Sequence, residues 1–248
     1  MRATVLATIV LPVALAAFPG AARAGEPAAA TTAVAVAPKG PLLHPDGPGR
    51  FRVRAGVGAL LDVLPRRVTE SETRTIPQLT AAIRLGLPAG FSVDLRARGA
   101  YVSNQAELGL AWALRVGDFS VGPLVHGGMW FGALAFEGFD AFGFGGILEP
   151  GIALGYAIGS TRIALTSEAI VTFAQHVRLG DAQTVSKQRV SFSGLASTLT
   201  VEVPLGPTFA VNGGFGVMWT LPDYQAWIAF SDSTIRYAYP RVVAGVGF

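Results

Sequence analysis

The chain of 248 residues contains no cysteine, and only 14% of its residues are charged. The missing cysteine excludes a disulfide framework, a thiol nucleophile, a thiolate metal site and the lipid-bearing cysteine of a bacterial lipoprotein. A soluble enzyme of this size carries about 25% charged residues, whereas this chain is 51% hydrophobic with a mean hydropathy of +0.47. The composition therefore favours a membrane protein, and three histidines without cysteine give no basis for a metal or other cofactor.

The chain begins with an apolar stretch that falls short of the roughly 20 residues that a membrane-spanning helix needs. The N-terminal apolar stretch Val5–Ala17 is interrupted by Pro12. Arg2 stands before it, and the small-x-small triplet Ala22-Arg23-Ala24 follows it. These are the features of a cleaved secretory signal, so we predict a signal peptide over residues 1–24.

Residues 25–50 are rich in alanine and proline and show neither a strand nor a helix period. We interpret them as a flexible periplasmic linker. The remaining 51–248 form the predicted folded domain.

From residue 51 onward, apolar and polar residues alternate. In 91–102, for example, Val93 and Leu95 share one face, whereas Asp94 and Arg96 share the other. This period of two predicts strands with one apolar side. Strand eight needs a bulge or a register change, because Phe192 and Leu199 cannot otherwise both face outward. The predicted strands lie near 51–61, 76–87, 91–102, 106–116, 119–131, 144–158, 161–174, 189–203, 208–220 and 235–248.

The connections between these strands differ in length at the two ends. Those after strands two, four, six and eight are tight turns, whereas most of the others are long, at 62–75, 132–143, 175–188 and 221–234. Short periplasmic turns and longer extracellular loops are typical of outer-membrane barrels. An open sheet edge cannot face lipid, so the fold class we predict is all-β, a closed antiparallel transmembrane β-barrel of about 10 strands, with eight as the alternative.

Aromatic residues on the apolar parity fall at two levels, as expected for rings at the two membrane interfaces. The predicted periplasmic level comprises Phe51, Phe91, Phe119, Tyr156, Phe209 and Phe248, and the opposite level comprises Tyr101, Phe131, Phe144, Phe173 and Trp219.

The last residues, Tyr237 to Phe248, alternate and end in phenylalanine. This segment resembles the last strand of Gram-negative outer-membrane β-barrels, in which a terminal Phe with alternating apolar residues is the assembly signal. The resemblance implies that Phe248, Val246 and Ala244 are read by the barrel-insertion machinery. Pro240 is unusual in such a strand.

The polar parity would line the lumen. It carries eight arginines and five carboxylates, which predicts an interior charge of +3. Barrels of about eight strands are filled by side chains, and buried charges persist when paired, so we expect a largely plugged lumen. Small inward neighbours such as Gly109 and Ala111 leave open a narrow anion-favouring path. The predicted lumen residues are Arg52, Arg54, Arg84, Asp94, Arg96, Arg98, Glu107, Arg115, Glu149, Arg162, Glu168, Glu202 and Arg241.

Catalytic patterns are weak. Some small outer-membrane barrels resemble omptin-type proteases, which need an acid pair and an Asp–His pair at the outer rim. The rim candidates Glu70, Glu72, Glu137, Asp140, His176 and Asp181 do not match that pairing. His126 precedes two glycines and is interpreted as a solitary strand histidine. The glycine-rich stretches lack the Lys-Ser/Thr ending of a phosphate loop. We predict no enzyme activity and, because the arginines point inward, no nucleic-acid partner.

These features predict a non-catalytic integral outer-membrane protein with a structural or surface-interaction role and a periplasmic N-terminus. A narrow pore for small solutes and a soluble secreted barrel binding an apolar ligand are the alternatives. The expected partners are outer-membrane lipid, lipopolysaccharide and, during assembly, the insertion machinery. Apolar residues of the last long loop, Trp227, Ile228 and Phe230, are expected to meet a ligand, a partner or the lipopolysaccharide layer, and the sequence does not distinguish among these three.

Overall fold

The computed structural model describes residues 41–65, 74–100, 103–136, 139–179, 183–187, 190–220 and 236–248. The chain divides into two units, Met1–Ala35 and Val36–Phe248, and the first lies wholly outside these ranges, as do the predicted signal peptide and most of the predicted linker. The strands are β1 Val53–Leu64, β2 Arg74–Gly86, β3 Phe91–Gly99, β4 Asn104–Trp112, β5 Leu114–Val116, β6 Phe119–Phe136, β7 Phe139–Ile158, β8 Thr161–Leu179, β9 Gln183–Lys187, β10 Ser191–Pro204, β11 Ala210–Thr220 and β12 Tyr237–Gly247.

All strand pairings in the described residues are antiparallel, and the sheet closes on itself. The pairing order around the wall is β1-β2-β3-β4-β6-β7-β8-β10-β11-β12, and β12 pairs with β1; β5 pairs with β6, and β9 pairs with β8. Because β5 continues β4 after Ala113 and β9 only extends β8 into a hairpin, the wall of the barrel has ten strands. The predicted closed antiparallel barrel of ten strands is therefore confirmed.

The short turns at 87–90, 117–118, 159–160 and 205–209 all lie at one end of the barrel, which we call the turn end. The opposite, loop end differs from the prediction. The predicted loop at 132–143 is almost entirely strand, because β6 and β7 remain paired from Phe119↔Tyr156 to Phe136↔Phe139. The β3–β4 hairpin stops at Asn104, which pairs with Phe131, so β6 continues five residues beyond it.

Two irregularities in the wall involve residues that the sequence analysis singled out. The register of β10 against β8 shifts between Phe192 and Gly194, and both Phe192 and Leu199 are exposed on the outer face, as the predicted bulge or register change requires. Pro240 pairs with Val217 of β11. The ladder between β12 and β1 ends at Asp62↔Arg241, so it does not include Pro240. A residue without an N–H is thus placed where one side of the strand is unpaired.

The two faces of the wall have opposite chemistry. Many large apolar side chains are exposed on the outer face, whereas most of the buried polar and charged groups face the lumen. The aromatic residues predicted for the two interfaces are exposed at both ends, apart from Tyr101, which lies outside the described residues. Among the described residues, no helix is long and apolar enough to cross a membrane.

We predict that Leu95→Cys, on the outer face of β3, is labelled by a lipid-phase thiol reagent and not by a water-soluble one, because this side chain is half exposed on the apolar surface. The chain has no other cysteine, so labelling of reconstituted protein reports on one site. Ser160→Cys, in an exposed turn, is the control and should react with the water-soluble reagent. Free labelling of Leu95→Cys from water would contradict the assignment of this face to lipid.

Candidate functional site

The lumen contains a layer of charged side chains at mid-height, contributed mainly by β3. Arg84 of β2 lies 3.0 Å from the carboxylate of Asp94 and also donates to Ser92 Oγ at 3.0 Å. Arg96 donates to Glu168 of β8 at 3.1 Å across the lumen. Alternation in β3 places its polar residues inward, and the narrow barrel brings the opposite wall within hydrogen-bond reach.

His126 joins these two pairs. Its Nδ1 is 3.0 Å from Glu168 and its Nε2 is 3.5 Å from Asp94. The ring is fully buried and lies over Gly109, where an added Cβ would come within 2.0 Å of the imidazole. The two ring nitrogens thus lie within ion-pair distance of carboxylates on two different strands. The interpretation of His126 as a solitary strand histidine is therefore wrong.

A second charged cluster lies towards the loop end. Arg98 of β3 donates to Glu107 of β4 and, at 3.2 Å, to Glu149 of β7, while Gln105 donates to Glu107. The guanidinium of Arg98 thus links three strands of the wall, β3, β4 and β7.

A third pair spans the seam at which the barrel closes. Arg241 of β12 donates from two nitrogens to the two oxygens of Asp62 in β1, at 2.7 and 3.0 Å. Gln78 of β2 donates to Asp62 at 2.9 Å. All three side chains are buried, so the first two strands and the last are joined by a two-point charged contact as well as by the backbone ladder.

Residues 41–50 lie inside the turn end of the lumen. Glu202 of β10 accepts the N–H groups of Leu42 and Leu43 at 3.1 and 3.0 Å. Arg84 donates to the carbonyl oxygens of Leu42 and His44 at 3.0 and 2.9 Å. The sequence analysis assigned this stretch to a flexible linker, and the structure instead packs residues 41–50 against the inner wall. Alanine and proline content alone does not reveal this, because the polar partners are far away in sequence.

The opposite end of the lumen is closed by apolar side chains. Four large side chains at inward positions pack together there and are almost fully buried, namely Trp130, Ile147, Ile170 and Met218. These inward positions are therefore apolar, unlike those of the charged layer. Between this apolar layer and the segment 41–50 lies a cavity of about 200 Å³. Leu42 and Leu43 line it from the turn end, and Thr80, Thr198 and Arg96 line its wall.

Ten of the thirteen predicted lumen residues lie inside the barrel, buried or half-buried. These are Arg54, Arg84, Asp94, Arg96, Arg98, Glu107, Glu149, Glu168, Glu202 and Arg241. The other three lie at the turn end: Arg52 and Arg115 are exposed, and Arg162 donates to the carbonyl of Gly159 in the adjacent turn. These three stand where the strands begin or end; Arg115 also lies 3.7 Å from Asp46 of the segment 41–50, and Arg162 is half-buried.

The sequence analysis missed Asp62, which it placed in a loop, and His126. With them, the described lumen holds five arginines and six carboxylates: Arg54, Arg84, Arg96, Arg98, Arg241, Asp62, Asp94, Glu107, Glu149, Glu168 and Glu202. The predicted surplus of three positive charges is absent from this part of the lumen. Continuing the alternation one residue past Leu61 would have identified Asp62.

The predicted assembly residues form the end of β12. Phe248 exchanges two backbone hydrogen bonds with Ala55, at 3.0 and 2.8 Å, and its ring is exposed. Val246 pairs with Val57 and with Val211, and Ala244 pairs with Ala59 and with Gly213. The terminal motif is thus integrated into the closing seam.

Of the rim candidates, His176 lies on the outer side, its ring centroid 5.2 Å from that of Phe144. Asp140 is part of β7. Glu70, Glu72, Glu137 and Asp181 lie outside the described residues, as do Trp227, Ile228 and Phe230. Within the described ranges, no group of three or more His, Asp and Glu side chains could hold a metal ion.

In architecture the chain is a β-barrel of the bacterial outer-membrane type: an even number of antiparallel strands, an apolar outer band and short turns at one end. No family model and no curated protein sequence matches it. Among solved structures it is similar to the outer membrane protease OmpT from Escherichia coli, with 9% identity, a TM-score of 0.45, and coverage of 79% of this chain and 96% of OmpT.

It is also similar to Neisserial surface protein A, with 13% identity, a TM-score of 0.37, and coverage of 79% of this chain and 95% of that one. A third similar structure is the translocator domain of the autotransporter NalP from Neisseria meningitidis, with 12% identity, a TM-score of 0.40, and coverage of 79% of this chain and 88% of that one. At such identities and scores, nothing about activity is transferred from these proteins.

We predict that Asp62→Asn lowers the free energy of unfolding by about 3–5 kcal/mol, because it leaves the guanidinium of Arg241 buried without its counter-charge. Asp118→Asn, in an exposed turn, should stay within about 0.5 kcal/mol of the parent. Urea unfolding in detergent micelles measures both. Equal stabilities of the two variants would show that the seam pair adds little.

The docking of residues 41–50 should weaken on acidification. Burial, with smaller contributions from Arg162, Arg84 and Arg115 against an opposing one from Asp46, lowers the pKa of His44 from 6.5 to about 4. A buried neutral imidazole stabilises the docked state above pH 6.5, and that stabilisation is lost as the pH falls towards 4. Histidine-selective NMR should give a His44 midpoint near 4, and in a His44→Gln variant the segment should lose this part of its pH dependence. A midpoint near 6.5 would contradict the buried position.

Proposed function

We propose that this protein is a non-conducting, non-catalytic barrel of the bacterial outer membrane, with its turn end in the periplasm and its loop end outside. Its role is structural or surface-interactive, carried by the loop end and by the outer wall. Outer-membrane lipid and lipopolysaccharide are the proposed partners of the wall, and the insertion machinery is the proposed partner of the terminal strand during assembly.

One observation carries this proposal: the lumen is filled at three levels. Residues 41–50 occupy the turn end, paired charges occupy the middle, and the apolar layer around Trp130 and Met218 occupies the loop end. A water-filled pore requires a continuous polar path. The apolar layer interrupts such a path, and the arginines that would attract an anion face carboxylates.

The pore alternative rests on the cavity of about 200 Å³ and its arginines. It does not gain from charge, because the described lumen carries no positive surplus. The soluble alternative requires apolar residues inside and polar residues outside. The exposed apolar side chains, among them Leu79, Leu108 and Phe215, favour lipid as the surrounding solvent instead.

The absence of catalysis is proposed on chemical grounds. Asp94, His126 and Glu168 form the one described cluster that combines a histidine with two acids. It is buried, and Arg84 and Arg96 neutralise its carboxylates. None of its groups is a serine or threonine nucleophile beside the imidazole, which acyl transfer would need.

We predict that the purified protein reconstituted in planar bilayers gives no resolved conductance steps under conditions in which a general porin does. A variant with Arg96→Gln and Arg98→Gln should be equally silent. Steps that disappear on neutralising these two arginines would overturn the proposal in favour of the anion-favouring pore. Protein recovered from carbonate-washed membranes in the soluble fraction would instead favour the secreted barrel.

A further inference from the structure

We propose that the turn end of the lumen is a peptide-binding cup, and that residues 41–50 are its exchangeable internal ligand. The ligand class is a short polypeptide with a turn at His44–Gly47, recognised mainly through its main chain. When the segment is in place, it closes the cavity behind it; when it leaves, the cavity opens towards the turn end.

The cup recognises backbone groups with two opposed charged side chains. Glu202 on β10 accepts two successive N–H groups, and Arg84 on β2 donates to two carbonyl oxygens, all within 3.1 Å. Both side chains are more than nine-tenths buried. A carboxylate that accepts N–H groups and a guanidinium that donates to C=O groups together match the donors and acceptors of a peptide main chain.

Space for the segment is made by glycines of the wall. A Cβ on Gly86 would stand 2.0 Å from the carbonyl oxygen of Gly49, and its nearest neighbours all belong to that residue. A Cβ on Gly155 would stand 2.3 Å from Nε2 of His44. At these two positions the missing side chain serves the segment and not the packing of one strand on another.

Side-chain contacts to Asp46 fix the position of the segment along the cup. Ser120 of β6 donates to Asp46, and Arg115 of β5 lies 3.7 Å from the same carboxylate. The described residues therefore place contacts to the segment on strands from opposite sides of the barrel, which is the arrangement of a cup around a ligand.

The segment is joined to the barrel through an accessible connection. Gly49 and Arg50 are both exposed, so the chain can be cut there without altering a strand. Leu42 and Leu43 line the cavity of about 200 Å³, so loss of the segment exposes the cavity wall at Thr198.

The experiment uses the full chain with a site-specific protease sequence inserted between Gly49 and Arg50, folded in detergent micelles and then cleaved. A fluorescent synthetic peptide of residues 36–49 is then added. Its binding is followed by fluorescence anisotropy, and the mass of the complex is measured by native mass spectrometry. We expect the labelled peptide to replace the cleaved segment at one copy per barrel. Uncleaved protein should take up none.

Two variants test the contacts. Glu202→Gln should weaken peptide binding by about 10- to 100-fold, because the N–H groups lose a charged acceptor. Gly86→Ala should abolish seating of the peptide at Gly49. The matched controls are Glu149→Gln, a lumen carboxylate away from the segment, and Gly213→Ala, whose nearest neighbour would be 3.7 Å away; both should bind like the parent.

Accessibility gives an independent readout in the otherwise cysteine-free chain. Thr198→Cys should react at least tenfold faster with a water-soluble thiol reagent after cleavage and removal of the segment, and the added peptide should restore protection. Ser160→Cys should react equally in all states. Failure of the peptide to bind to cleaved protein, or reactivity of Thr198→Cys that cleavage leaves unchanged, would overturn the proposal, and neither result depends on whether the barrel conducts.

Discussion

The closure of the sheet between its first and last strands is the constraint on which the rest of the structure depends. In hydrocarbon, a backbone N–H or C=O group without a partner costs several kcal/mol, so β1 and β12 must pair along the membrane-spanning part of the seam. The ladder runs from Gly56↔Gly247 to Asp62↔Arg241. It ends next to Pro240, which has no backbone N–H to donate. At this point the side chains of Asp62 and Arg241 join the two strands.

Closure with ten strands leaves an interior too narrow for bulk water and too polar to be packed like a soluble core. The chain resolves this with charge pairs in the middle and apolar side chains at the loop end. At the turn end it uses a piece of its own N-terminal region. Each solution follows from the same requirement that buried polar groups have partners. The wall glycines are part of it, since Gly109 admits the ring of His126 and Gly155 that of His44.

The sequence alone was sufficient for the barrel, because alternation is a local property and the membrane converts it into an inside and an outside. It located most lumen residues for the same reason, and even the bulge near Phe192. The sequence was not sufficient to identify which side chains contact one another across the lumen. That His126 lies between Asp94 and Glu168 depends on strands β3, β6 and β8 facing one another across the lumen, which no local pattern encodes.

The errors had the same origin. Arg115 and Arg162 obey parity but stand where the wall ends, so they turn towards the carbonyl oxygens of adjacent turns. Residues 41–50 show no period because their bonding groups are main-chain atoms. Such a segment can be recognised from sequence only through its receptors, and here those are an acid on β10 and an arginine on β2.

Among the described residues, two strand pairs of the wall differ in height at the loop end. On the side of β3 and β4 the wall stops at Asn104, level with Phe131, whereas on the side of β6 and β7 it rises five residues further. This raised part of the described wall is a continuous antiparallel ladder, so its shape is fixed by backbone hydrogen bonds. A molecule that touched the described strands from this end would contact β6 and β7 before β3 and β4.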